Sequence, residues 1–62
     1  MEKYRFNYAV QGVMFCIAPW VFINANSLEE AIELAKIEIL NTWKDYNVFT
    51  LYSKPESIKF ER

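Results

Sequence analysis

The chain has 62 residues, of which 53% are hydrophobic and 18% aromatic, and its formal net charge is −1. A chain of this length forms one domain, residues 1–62, that buries only about 60% of its unfolded surface, so we expect a rich core or a partner to support it. Cys16 is the only cysteine and histidine is absent, which excludes an internal disulfide and a structural zinc site. The near-neutral charge favours neither a nucleic-acid binder nor an acidic DNA mimic.

The longest apolar run, from Val13 to Ile23, contains Pro19 and is shorter than the ~20 residues of a membrane span. It also follows charged residues, so it is not typical of a signal sequence. We therefore expect a cytoplasmic protein with no membrane partner. One unpaired cysteine agrees with a reducing compartment.

The first predicted element is a strand from Lys3 to Val10, in which outward and inward residues alternate with the period of two typical of a half-buried strand. Gln11 and Gly12 follow it and predict a two-residue hairpin turn, because glycine adopts positive φ without steric cost. The residues expected on the core face are Tyr4, Phe6, Tyr8 and Val10.

The second predicted strand runs from Val13 to Ala25. A two-residue turn would set the opposing core pairs Val10 with Val13, Tyr8 with Phe15, and Phe6 with Ile17. Pro19 cannot donate a ladder hydrogen bond, so it predicts an edge strand or a β-bulge, and a bulge would reverse the faces of later residues. The residues expected on the opposite face are Lys3, Arg5, Asn7, Met14, Cys16, Ala18 and Trp20, with Phe22 if the parity holds.

Ser27 is the clearest local signal, because a serine followed three residues later by Glu30 is typical of a helix capping box. It predicts a helix from Leu28 to Lys44 or Asp45. At about 100° per residue, one apolar stripe is expected to pack on the sheet. The stripe consists of Leu28, Ala31, Ile32, Ala35, Ile39 and Trp43.

Two short strands complete the chain, from Val48 to Tyr52 and from Ile58 to Glu61, joined by a turn over Lys54-Pro55-Glu56-Ser57. We therefore predict an α+β fold, a single ββαββ domain. Its antiparallel four-stranded sheet has the order 2-1-3-4, with the helix packed on one face.

Catalysis is not expected, and neither is a cofactor or a bound metal. The commonest general base is missing with histidine, and Cys16 has no evident activating partner, so we interpret it as a small buried hydrophobe. Glu29, Glu30 and Glu33 are typical of a solvated helix start rather than an acid/base pair. A single glycine excludes a phosphate-binding glycine loop.

Two surfaces remain as candidate binding sites. On the helix, Leu34, Ile37 and Leu40 fall outside the core stripe; either the second hairpin covers them, or the helix is rotated, or they bind a partner or a second copy. The second surface is the uncovered sheet face, where tryptophan, arginine and methionine are residue types enriched at interfaces. Its candidate partner-binding residues are Lys3, Arg5, Met14 and Trp20, with Lys59 from the fourth strand. An aromatic group at the helix exit is interpreted as core: Trp43, Tyr46, Phe49 and Tyr52.

The segment from Phe22 to Ala31, Phe-Ile-Asn-Ala-Asn-Ser-Leu-Glu-Glu-Ala, resembles the strand-to-helix junction of many small bacterial and bacteriophage α+β proteins. These include small anti-CRISPR inhibitors. The resemblance implies a phage-type inhibitor that blocks a larger host defence protein in the host cytoplasm by occupying its surface. One alternative is a homo-oligomeric accessory module. Another is a weak single-stranded nucleic-acid binder through Lys3, Arg5 and Trp20, which ranks last because only three or four basic residues would lie on that face.

Overall fold

A computed structural model describes residues 1–12, 19–53 and 56–62 of the chain. The elements are β1 (Glu2–Val10), β2 (Trp20–Ala25), α1 (Leu28–Thr42), β3 (Val48–Ser53) and β4 (Glu56–Glu61). All three strand pairings are antiparallel, and the sheet has the order β2-β1-β3-β4. The predicted ββαββ architecture and strand order are therefore confirmed.

The core lies between α1 and one face of the sheet. Alternate residues of the central strands enter it, and the small side chains of Ala31 and Ala35 are fully buried, which lets the helix approach the sheet closely. Leu28, predicted in the core stripe, is exposed instead. The buried core consists of Phe6, Tyr8, Val10, Val21, Ala25, Ala31, Ala35, Ile39, Phe49 and Leu51.

The register of the first hairpin differs from the prediction. Phe6 lies opposite Val21, not Ile17, and the Tyr8 amide donates to the Pro19 carbonyl at 3.1 Å. The register predicted from a two-residue turn was therefore wrong, although Gly12 does adopt a φ of 98°. The shift of four residues is even, so the predicted faces of the residues after Pro19 are kept. The pairs predicted for Val13 and Phe15 lie outside the described residues.

The helix begins as predicted and ends earlier. Ser27 caps it, since its Oγ accepts from the Glu30 amide at 3.2 Å. Regular helix stops at Thr42, not at Lys44 or Asp45, and Trp43 forms the C-cap. The stop coincides with a tertiary contact that local sequence does not encode, namely the hydrogen bond from Trp43 Nε1 to the hydroxyl of Tyr8 at 2.9 Å.

The second hairpin is tighter than predicted. Ser53 pairs with Glu56, so Glu56 and Ser57 belong to β4 rather than to the turn. The other two residues of the predicted turn, Lys54 and Pro55, lie outside the described residues. On the helix side, the rings of Phe49 and Phe60 stack across β3 and β4 with centroids 5.3 Å apart.

Candidate protein-binding surface

The sheet face opposite α1 is uncovered by any described element, and we call it the open face. Strand alternation and register place one set of side chains there, because their neighbours in sequence enter the core. The open face consists of Lys3, Arg5, Asn7, Ala9, Trp20, Phe22, Asn24, Val48, Thr50, Tyr52, Ser57, Lys59 and Glu61.

Three aromatic side chains are exposed on the open face. Phe22 is 72% exposed, Trp20 49% and Tyr52 43%. Asn7 lies between two of them, since it pairs with Trp20 on one side and with Tyr52 on the other. Phe22 is next to Trp20 on the same face of β2. The three rings thus occupy one region that spans β2, β1 and β3, and no core packing explains their exposure.

Tyr52 was assigned to the core from the sequence, and the structure corrects this. The strand β3 buries Phe49 and Leu51, so the period of two turns Tyr52 to the opposite face. The alternation in Phe-Thr-Leu-Tyr therefore already indicated that Tyr52 faces away from the core. The rest of the predicted aromatic group does pack inward: Phe49 is buried, while Trp43 and Tyr46 are half-buried and meet edge to face at 5.8 Å.

Arg5 and Trp20 form a cation–π pair on the open face. The Arg5 guanidinium carbon lies 5.0 Å from the centroid of the Trp20 ring, a distance at which the cation is attracted by the π-electrons of the indole. Arg5 is also directly opposite Phe22 across β1 and β2. The pairing pre-orders two long side chains, which reduces the entropy they lose when a partner binds.

Charge is divided unevenly between the two sides of the molecule. Among the described residues, the open face exposes the cations Lys3, Arg5 and Lys59 against one carboxylate, Glu61. The helix carries the reverse balance. Its charged residues are Glu29, Glu30, Glu33 and Glu38, with Lys36 as the basic one, 3.6 Å from Glu33. The open face is thus suited to an acidic surface.

The helix patch is smaller than the sequence predicted. Ile37 is 54% exposed and Leu34 is also exposed, but Leu40 is half-buried against the core. Arg62, at the end of β4, donates to the Leu40 carbonyl at 2.8 Å. Of the three aliphatic residues, Leu34 and Ile37 therefore remain exposed, while Leu40 packs against the core. Met14 and Cys16 lie outside the described residues.

Groups that would support catalysis are scarce in the described part of the chain. In residues 1–12, 19–53 and 56–62, no three carboxylate or thiol side chains are close enough together to hold a metal ion. The pKa of the Tyr4 hydroxyl is raised, chiefly because it donates to the Glu2 carboxylate at 2.9 Å. Tyr4 therefore keeps its proton to a higher pH than a free phenol does.

No helix within the described ranges combines the length and the apolar character needed to cross a membrane.

Comparison with known proteins adds no family to these observations: no family model, no curated protein and no solved structure matches the chain.

Proposed function

We propose that this chain is a small non-enzymatic binding module that attaches to a larger protein through its open face. The observation that carries the proposal is the exposed aromatic region of Trp20, Phe22 and Tyr52, with Arg5 stacked against Trp20. Tryptophan, tyrosine and arginine are the residue types that dominate binding energy at protein interfaces. A sheet face is also rigid, so the protein loses little conformational entropy when a partner binds to it.

The charge of the open face specifies the kind of partner surface. Lys3, Arg5 and Lys59 outnumber Glu61, so a surface that presents carboxylates around an apolar centre is complementary. The resemblance of the Phe22 to Ala31 junction to small phage-type inhibitors extends the proposal. The expected partner is a host defence protein, and the expected mode of action is to block its surface in the host cytoplasm.

The test uses the full chain as bait in a host lysate, followed by titration calorimetry with the purified captured protein. Trp20→Ala is expected to weaken binding about 30-fold or more, the effect of losing a hot-spot side chain. Ile37→Ala is the matched control, because Ile37 is an aliphatic side chain of similar exposure on the helix side. Circular dichroism checks that both variants keep the fold.

The two variants separate the two candidate surfaces. A loss of affinity with Trp20→Ala and not with Ile37→Ala supports the open face. The reverse result would show that the helix patch of Leu34 and Ile37 makes the contact, and it would overturn the proposal. Equal affinity of both variants would overturn it as well.

A single-stranded nucleic acid is the second candidate ligand. The observation in its favour is that the exposed rings of Trp20 and Tyr52 lie near Arg5 and Lys59 on one sheet face, where bases can stack and phosphates can pair. Titration with an oligothymidylate, followed by Trp20 fluorescence, tests it. Three cations limit the slope of log affinity against log salt to about −2. Binding that ignores salt would exclude this candidate.

A further inference from the structure

The edge strand β2 has one backbone side turned away from the sheet. Among the strands of the described ranges it pairs with β1 alone, since β2 is the outermost strand in the order β2-β1-β3-β4. The bond from the Tyr8 amide to the Pro19 carbonyl identifies the hydrogen-bonded pairs of this ladder, which recur at every second residue. The amides and carbonyls of Trp20, Phe22 and Asn24 therefore point outward, along the edge of the sheet.

The two edges of the sheet differ in how they are protected. The outer strand β4 carries charges, with Lys59 and Glu61 in its sequence Glu-Ser-Ile-Lys-Phe-Glu. Charged side chains on an edge strand oppose pairing with another strand. The sequence of β2 is Trp-Val-Phe-Ile-Asn-Ala, without any charge, and Phe22 at its centre is the most exposed aromatic side chain among the described residues.

From this asymmetry we infer that β2 is the dimerisation edge of the protein, where it pairs antiparallel with β2 of a second copy across a two-fold axis. Centring the axis on Phe22 pairs Phe22 with its own equivalent and Trp20 with Asn24. Both are outward-pointing residues, so each such pair exchanges two N–H to O=C bonds. Because β2 is uncharged, no like charges meet across the axis.

Side chains on both faces of the sheet fit this arrangement. On the open face, Phe22 meets its equivalent directly, and Trp20 is diagonal to it, within reach of an aromatic side chain. On the helix face, Val21 would lie opposite Ile23 of the second copy, which continues the core across the axis. The result is a continuous eight-stranded sheet with the exposed aromatic rings at its centre.

The helix leaves room beside this edge. A groove of about 340 Å³ separates β2 from the second half of α1, and its lining includes Val21, Phe22, Glu38 and Thr42. Leu34 is one turn before Glu38 and so lies on the same side of the helix. Pairing of the two edges would bring this side of α1 toward the second copy. Leu34 is exposed in the single copy, and the pairing of the two edges would place it near the second copy.

Dimerisation through β2 is independent of the proposed partner protein, so it is tested with the chain alone. Sedimentation velocity of the full chain, from about 10 µM to about 1 mM, covers the range expected for an interface near the lower size limit. The mass is expected to rise from 7.4 kDa toward twice that value. The amide of Phe22 is expected to exchange slowly with solvent only in the concentrated sample.

Two variants test the register. Phe22→Lys and Phe22→Glu each place like charges at the two-fold axis, so each variant alone is expected to stay monomeric throughout the concentration range. Both should fold, since Phe22 is 72% exposed, and circular dichroism checks this. An equimolar mixture is expected to dimerise again, because lysine then faces glutamate.

A wild-type chain that stays monomeric at about 1 mM would overturn the inference. The edge of β2 would then be open for pairing with a strand of another protein. A dimer that persists in both single variants would overturn it too, because the contact would then lie elsewhere. Neither result affects the binding test with Trp20→Ala and Ile37→Ala, which is read from the captured partner.

Discussion

At the residue scale, one partly buried polar contact connects the end of the helix to the sheet. The indole N–H of Trp43 donates to the hydroxyl of Tyr8 at 2.9 Å, and Tyr8 is a core residue of the central strand β1. Both rings are large hydrophobic groups that also need a polar partner when they are removed from water. The contact satisfies one polar group of each residue at the position where the helix ends.

Replacing both partners of this contact should cost less than the sum of the two single replacements. Trp43→Phe leaves the Tyr8 hydroxyl buried without this donor, and we expect a loss of about 1–3 kcal/mol in the free energy of unfolding. Tyr8→Phe leaves the indole N–H of Trp43 without this acceptor. The double variant removes both polar groups, so urea unfolding should show a smaller cost than the sum of the two. Strictly additive losses would contradict the coupling.

Single residues also show where sequence reasoning was sufficient. The alternation of β1 predicted that Phe6, Tyr8 and Val10 would be buried, and they are, since a period of two is imposed by the strand itself. The same rule applied to β3 would have placed Tyr52 outside. Leu40 could not be placed in this way: it falls outside the apolar stripe of the helix, yet it is half-buried against the core.

At the element scale, the two ends of α1 are determined by different parts of the chain. The N-terminus is local: the Ser27 side chain caps the Glu30 amide, and the sequence predicted it. The C-terminus has no basic residue in its last turn. Arg62, which follows β4, supplies the missing positive charge. Its guanidinium donates to the backbone carbonyls of Leu40 and Trp43 at 2.8 and 2.7 Å and to that of Tyr46 at 3.2 Å.

Removing this cap should destabilise the fold modestly. Arg62→Ala loses charge-assisted hydrogen bonds to exposed helix-end carbonyls, and we expect about 1 kcal/mol less free energy of unfolding. Arg62→Lys should recover only part of it, because an ammonium group cannot reproduce the guanidinium fork. Lys59→Ala, which removes an exposed cation three residues earlier on β4, is the control and should change little. Urea unfolding of the three variants tests this, and an equal loss for Arg62→Ala and Lys59→Ala would contradict it.

The register of the first hairpin marks the limit of local reasoning. Sequence alternation fixes which face a residue occupies, but it leaves the register free to shift by an even number of residues. Gly12 adopts the positive φ that its glycine predicted, but the register of β1 and β2 did not follow from it. The open face was nevertheless predicted with Arg5, Trp20 and Phe22 on one side, because an even shift preserves parity.

At the scale of the whole molecule, charge is separated across a thin body. The shortest extent of the molecule is 15 Å, which exceeds the Debye length of about 10 Å at 0.1 M salt. The cations of the open face are therefore screened from the glutamates of the helix. A partner that approaches the open face experiences a positive field, although the chain as a whole has a net charge of −1.

This separation predicts how the binding rate depends on salt. Reversing two open-face charges with Lys3→Glu and Lys59→Glu, while keeping the Arg5–Trp20 pair, should slow association with an acidic partner about tenfold or more at ~20 mM salt, because steering is lost. At ~500 mM salt the difference should nearly vanish, since screening removes the steering in the unmodified chain too.

Stopped-flow fluorescence of Trp20 with the captured partner measures the rate at both salt concentrations. The matched control is the double variant Glu33→Lys and Glu38→Lys, which changes the net charge by the same amount with opposite sign on the helix side. It should raise the low-salt rate by less than the open-face variant lowers it, because those charges lie on the far side of the molecule and are partly screened by a Debye length of about 20 Å at ~20 mM salt. Because the two variants shift net charge in opposite directions, a rate that follows net charge alone would fall in one and rise equally in the other. That outcome would show that the partner does not distinguish the open face from the helix.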